Sequence, residues 1–169
     1  MKNLITVIAV LVLFAMINPN VMAQEQCASD LSFMIGEWKG EGMSYNRDQT
    51  VSKFSVEESI EYKFGTQNII MEGKGTDLES GELAHHALAV LYCQDSTFKL
   101  HSFTHEGRQI IASLALTGPN SFDWWFEVPQ GKIKYSADFS GDQWTEKGSF
   151  VLPNGQAFPI MEMTLSKVK

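Results

Sequence analysis

The chain has 169 residues, 44% of them hydrophobic, with 20 acidic against 13 basic side chains and a formal net charge of −7. That length suits about one domain. An acidic balance with no Lys/Arg cluster repels phosphate backbones and anionic lipid surfaces, which sets aside nucleic-acid binding and electrostatic membrane docking.

Residues 1–23 read as a secretory signal. Lys2 supplies the positive start, Leu4 to Ile17 the apolar stretch, and Asn18-Pro19-Asn20 a break. Val21 and Ala23 then stand at the −3 and −1 positions before Gln24. The apolar run is shorter than the about 20 residues a spanning helix needs. Gln24-Glu25-Gln26 ahead of Cys27 lacks the small residues of a lipoprotein signal. The expectation is a secreted or periplasmic protein whose mature part, 24–169, is a single domain with no membrane contact after cleavage. Its two cysteines are Cys27 and Cys93. An oxidising compartment lets them pair, and closing so long a loop is worth roughly 4 kcal/mol in the chain-entropy model. The alternative is two thiols, one in a tail and one buried as a small hydrophobe.

Ser29 or Asp30 can cap a short helical turn that Gly36 ends. Gly36, Gly40 and Gly42 then punctuate a first strand whose large apolar side chain is Trp38. Glycine within a strand marks a sharp bend or a close backbone approach. From there apolar and polar residues alternate over ten short runs: 37–44, 51–64, 67–76, 84–93, 97–105, 108–117, 121–128, 131–139, 143–151 and 158–167. Gly, Asn, Asp and Ser separate them at hairpin spacing. Many short strands joined by tight turns predict an all-β, antiparallel up-and-down barrel, since closure removes exposed edges. A barrel of that size leaves room for one small ligand.

Alternation also predicts the inside. Phe54, Val56, Glu58, Ile60, Tyr62 and Phe64 share one face of the second run, and Ile133, Tyr135, Ala137 and Phe139 one face of the eighth. In the runs 67–76 and 84–93 both faces are mixed and the inside is open. Glu58 stands out as a carboxylate on an otherwise apolar inner face, where it must be neutralised, paired or hydrogen-bonded. It can hold a polar head group or act as an acid/base. A strand-end carboxylate that reaches solvent is the plainer reading.

The turn at Gln94-Asp95-Ser96 makes a hairpin of 84–93 and 97–105. A two-residue loop sets His86 opposite His105, and a three-residue loop sets His85 there. His101 lies roughly 13 Å from His105 along the strand. Two imidazoles fall short of the three or four ligands zinc takes, so no metal is expected. Adjacent Trp124 and Trp125 must point to opposite sides of a strand. No phosphate-binding glycine loop and no nucleophile elbow occurs.

Three stretches carry a resemblance: Phe33-x-x-Gly36-x-Trp38-x-Gly40-x-Gly42, Val56-Glu57-Glu58-Ser59-Ile60-Glu61-Tyr62-Lys63-Phe64-Gly65, and Leu83-Ala84-His85-His86. With these the chain resembles the nitrobindin-like and lipocalin-like barrels of the calycin group, in a secreted branch. The resemblance implies the barrel fold and a ligand-sized cavity. Nitrobindins hold haem through a histidine on a C-terminal strand; the corresponding Phe158-Pro159-Ile160-Met161-Glu162-Met163 has none. Met161 or Met163 could serve as an axial ligand, but a core role suits them better. No cofactor is therefore expected, with haem as the alternative.

The sequence thus predicts a container for a small, largely apolar molecule, lined or gated by Trp38, Glu58, Tyr62, His85, His86 and Trp124. Its rivals are a haem-binding or acid/base isomerase-type enzyme of the nitrobindin kind and a filled interaction module without a cavity.

Overall fold

The structure is a computed structural model that describes residues 30–168 apart from 47, 49, 67 and 96. The expected signal at 1–23, Cys27 and Ser29 lie outside the described residues. A 3-10 turn, Ser32–Met34, leads into ten strands. These are β1 Gly36–Tyr45, β2 Val51–Lys63, β3 Asn68–Asp77, β4 Leu83–Gln94, β5 Thr97–Thr104, β6 Gln109–Gly118, β7 Ser121–Val128, β8 Gly131–Ser140, β9 Gln143–Val151 and β10 Ala157–Lys167. Each pairs with its sequence neighbour, and β10 returns antiparallel to β1, so the sheet closes as a ten-stranded barrel. Each of the ten alternating runs forms one strand. Closure leaves no edge to cover.

The side chains of even-numbered residues in β1, β2, β5, β6, β7 and β9 point inward, as do those of odd-numbered residues in β3, β4, β8 and most of β10. The buried residues Trp38, Val56, Ile69, Leu91, Leu100, Leu114, Phe122, Phe139, Trp144 and Leu165 follow this rule. It also resolves β3 and β4, whose mixed faces hid the inside. Their inward positions include Gly73, Gly75, Ala87 and Ala89, small residues that carry no hydrophobic signal of their own. The outer face carries ion pairs such as Lys39–Glu57 at 2.7 Å and Lys134–Asp123 at 2.7 Å. Exposed pairs of this kind contribute little stability.

One end of the barrel is plugged. Leu31 and Met34 of the N-terminal turn are fully buried, and the Phe33 ring sits 5.2 Å from Phe139 and 6.3 Å from Phe122. Trp38 meets Phe139 and Trp144 edge-on at 5.3 and 6.0 Å, and Lys167 Nζ lies 5.1 Å from its ring. The turn itself is capped differently from expectation: its N-cap is Leu31, with no side-chain hydrogen bond. Burial of that leucine anchors the turn. Gly36 follows with φ 141° and redirects the chain into β1.

Two further details differ from the alternation reading. Phe64 does not continue the inner face of β2. The strand stops at Lys63, Phe64 has φ 54°, and its side chain is 80% exposed. A left-handed residue beside Gly65 turns the chain away from the core. In β10 the register slips between Pro159 and Met161, where a proline lacks the N–H that a regular ladder needs.

Gly40 marks the close approach its sequence context predicted. A Cβ there would lie 2.8 Å from the Leu165 Cα on the neighbouring strand. Because backbone cannot move aside as a side chain does, Gly40→Ala should spread β1 from β10 and cost about 1–3 kcal/mol or more. A lower urea midpoint with unchanged slope would show it. A midpoint equal to wild type would mean the seam tolerates a methyl group.

Candidate functional site

Above the aromatic plug the small inward residues leave a cavity of about 120 Å³. Met34 and Trp144 bound it on the plugged side. Met71, Leu100, Leu114, Phe122, Trp124 and Met163 form its apolar wall, and Ser102 and His85 extend it toward the other end of the barrel. Two carboxyl groups face it, Glu58 from β2 and Glu146 from β9.

Each carboxyl is placed by a neighbour. Gly73 is the cross-strand partner of Glu58, and a Cβ at Gly73 would stand 2.6 Å from the Glu58 Cδ. The carboxyl therefore rests on bare backbone. Glu146 is only 5% exposed. Trp124 Nε1–H donates to its Oε1 over a long 3.4 Å. Trp124 in turn stacks on Tyr135 at 4.1 Å and 10°, and Tyr135 fits because its cross-strand partner is Gly148. The buried Trp144 Nε1–H has no partner at hydrogen-bond geometry, yet it acts beside Trp124 as a second donor that favours the charged form of Glu146.

Burial dominates the electrostatics. Loss of water pushes the Glu58 carboxyl up to about 8, and the charge of Glu146 adds to the push. Burial likewise raises Glu146 to about 7, the two indole donors working against it. Glu58 keeps more accessible area than Glu146 and yet is shifted further, so the two are best treated as one coupled pair that gives up its protons in steps. Near neutral pH the pair retains protons that free carboxyls would have lost. Burial and Glu146 also hold the Tyr135 hydroxyl up at about 12.

The side chains singled out in the sequence divide between the cavity and elsewhere. Glu58, His85 and Trp124 line it. His85 stands at the exposed rim, held below its usual value first by loss of water on its inner side and then by nearby His105. His86 does not face the cavity. It points outward, Nε2 2.9 Å from Glu72 Oε1. Gln94 pairs with Thr97, the register that puts His86 opposite His105, whose backbone N–H donates to the His86 carbonyl at 2.8 Å. Trp38 lies in the plug, its Nε1–H donating to the Met34 carbonyl at 2.8 Å. Tyr62 packs against the core near the plugged end. Cys93 is disulfide-bonded; Cys27 lies outside the described residues. Among the described residues no cluster of His, Cys, Asp and Glu could hold a metal ion.

Glu146 and Trp144 are not singled out as cavity residues by the sequence, which gives Met163 a core role. The run Trp144-x-Glu146-x-Gly148-x-Phe150 carried the same signal as Glu58, a carboxylate on an otherwise apolar face. Gly73→Ala is expected to displace the Glu58 carboxyl from its seat. Its folded state should persist while the titration of Glu58, followed by NMR, moves back toward the ordinary carboxylate range. An unchanged titration would show that the glycine seat is not what holds the carboxyl in place.

No protein-family model matches the chain, and no curated protein matches it. Its fold is similar to that of several solved structures. Rv2717c from M. tuberculosis superposes with a TM-score of 0.65 over 85% of this chain and 98% of that one, at 12% identity. The S-type phycobiliprotein lyase CPES from Guillardia theta does so at 0.61 over 88% and 97%, again at 12% identity.

The chain shares their fold. At such identities the likeness concerns fold alone. This barrel keeps its interior partly empty, with the small residues Gly73, Ala87 and Ala89 on the cavity wall.

Proposed function

We propose that this calycin-like barrel is a secreted or periplasmic small-molecule-binding protein that encloses a largely apolar ligand. The observation that carries the reading is the cavity of about 120 Å³, walled by apolar and aromatic side chains and supplied with a few polar groups, Glu58, Glu146 and the rim His85. Enclosed apolar walls with sparse polar anchors are how small-molecule sites are built. Ligand affinity would come from apolar burial, and orientation from the carboxyl pair. One of the similar folds is named a phycobiliprotein lyase. The disulfide at Cys93 supports an oxidising compartment, and pairing with Cys27 is part of the proposal.

The donor set fits haem poorly. Met163 and Met71 line the cavity but no histidine lies deep in it, and two acidic side chains occupy the walls where a haem's own carboxylates would need cations. An acid/base enzyme is the second reading, favoured by one observation: a carboxyl raised to about 8 and a histidine share the same cavity.

Native mass spectrometry of the mature protein purified from its own compartment tests the proposal, with an absorbance scan through the Soret region. A retained organic mass supports it. A Soret band would replace it with haem binding. A bare protein mass that stays bare against a library of apolar compounds would overturn it.

A further inference from the structure

We propose that the cavity selects an organic cation, an amine carried on an apolar body, with its ammonium group seated between Glu58 and Glu146. The inference rests on the ligand-binding reading above and names the chemistry of the ligand.

Two carboxyl groups face one small cavity, and no Lys or Arg side chain lines it among the described residues. Lys167, which sits on the Trp38 ring, belongs to the plug. The other titratable groups on this space are the rim His85 and Tyr135 behind Trp124. Neither is a standing positive charge at neutral pH. A buried carboxylate needs a counter-charge or donors, and here a cation is the missing component.

Three features match an ammonium ion. Trp124, Trp144 and Phe122 line the cavity together with the carboxyls, and aromatic rings attract cations electrostatically. Trp144 Nε1 is a buried donor beside Glu146 that falls short of hydrogen-bond geometry, and the Trp124 Nε1 bond to Glu146 is long. Both indole donors strengthen once Glu146 becomes a full anion, which a bound cation would bring about. The rest of the wall, with Met71, Leu100, Leu114 and Met163, suits an alkyl or aryl body. A neutral apolar ligand would leave the carboxyls without partners. An anion would find no cation to pair with, and its charge would oppose ionisation of either carboxyl.

Binding would then be proton-linked. A protonated amine enters, a neutral carboxyl ionises, and its proton passes to the solvent.

The test is calorimetric titration of the mature, disulfide-intact protein near neutral pH with three probes of equal length: hexylammonium, hexanol and hexanoate. Hexylammonium should bind at least about tenfold more tightly than hexanol, a gap of about 1.4 kcal/mol, and hexanoate should bind most weakly. Repeating the titration in buffers of different ionisation enthalpy should show proton release with the amine and none with the alcohol. Glu58→Gln and, independently, Glu146→Gln should shrink the amine-over-alcohol preference at least about threefold and reduce the proton release. Using both guards against either variant failing to fold. His86→Ala, on the outer wall, should leave the preference as it is. Equal or tighter binding of hexanol or hexanoate would overturn the cation inference while keeping the container reading. Failure of all three probes to bind would overturn both.

Discussion

Trp38→Ala is expected to lower the unfolding free energy by about 3–5 kcal/mol, the range for deleting a buried large aromatic. The indole is 1% exposed and joins three parts of the molecule. Its ring packs edge-on to Phe139 of β8 and Trp144 of β9. Its N–H holds the Met34 carbonyl of the N-terminal turn at 2.8 Å. Removing it leaves a void in the plug and a buried carbonyl that has lost its donor, and both changes destabilise. The lesion also reaches the cavity, because Met34 and Trp144 bound it on the plugged side. Urea unfolding gives the magnitude, and Trp125→Ala on the outer wall provides the contrast, with an expected loss within about 1 kcal/mol. A Trp38→Ala loss as small as that of Trp125→Ala would mean the plug closes without its central ring.

The second large effect is a loss of stability of the ligand-free barrel as pH rises. Glu58 and Glu146 have folded-state values of about 8 and about 7, above the ordinary carboxyl value of 4.5. The folded protein therefore holds protons that the unfolded chain releases. Their stabilising contribution is complete below about pH 4.5 and disappears as pH climbs through about 7 to 8. Within that window each group can contribute a slope approaching about 1.4 kcal/mol per pH unit. Glu58 retains some solvent contact, which reduces its share. Groups shifted the other way act elsewhere on the scale: Asp123, lowered by its bonds to Lys134 and Ser136 against the opposing effect of burial, and Asp77, lowered by bonds from Ser80, lose their contribution only in acid. Melting temperatures from about pH 5 to about pH 9 should fall for wild type. They should fall less for Glu58→Gln and Glu146→Gln, which remain neutral at every pH. A wild-type curve that is flat or rising across that range would mean the carboxyls find a counter-charge or water in the folded state. A bound amine would oppose the decline, which connects this measurement with the proposed ligand class.

The barrel was legible because its chemistry is periodic. Alternation over short runs, interrupted by residues that favour turns, marks each of the ten strands, and adjacent pairing needs nothing beyond short loops. Glu58 was legible for the same reason, standing as a charge on an apolar face. The middle of the barrel was not. The inner faces of β3 and β4 carry Gly73, Gly75, Ala87 and Ala89, and residues chosen for small size give hydrophobic periodicity nothing to detect. His85 and His86 show the same difficulty in miniature. The sequence offers both, and only the phase of β4 decides that one faces the cavity rim and the other pairs with Glu72 outside.

By itself the sequence determined the all-β class, the positions of ten strands, the glycine-marked bend of β1 and one interior carboxylate. All of these follow from local rules of alternation and turn chemistry. Only the tertiary structure decided that Glu146 meets Glu58 across the lumen, that Trp38 belongs to the plug rather than the ligand wall, and that the interior is partly empty. Those facts depend on which side chains from distant strands arrive at the same level of a closed sheet. That is set by register and by the room that small residues leave, and no single strand encodes either one.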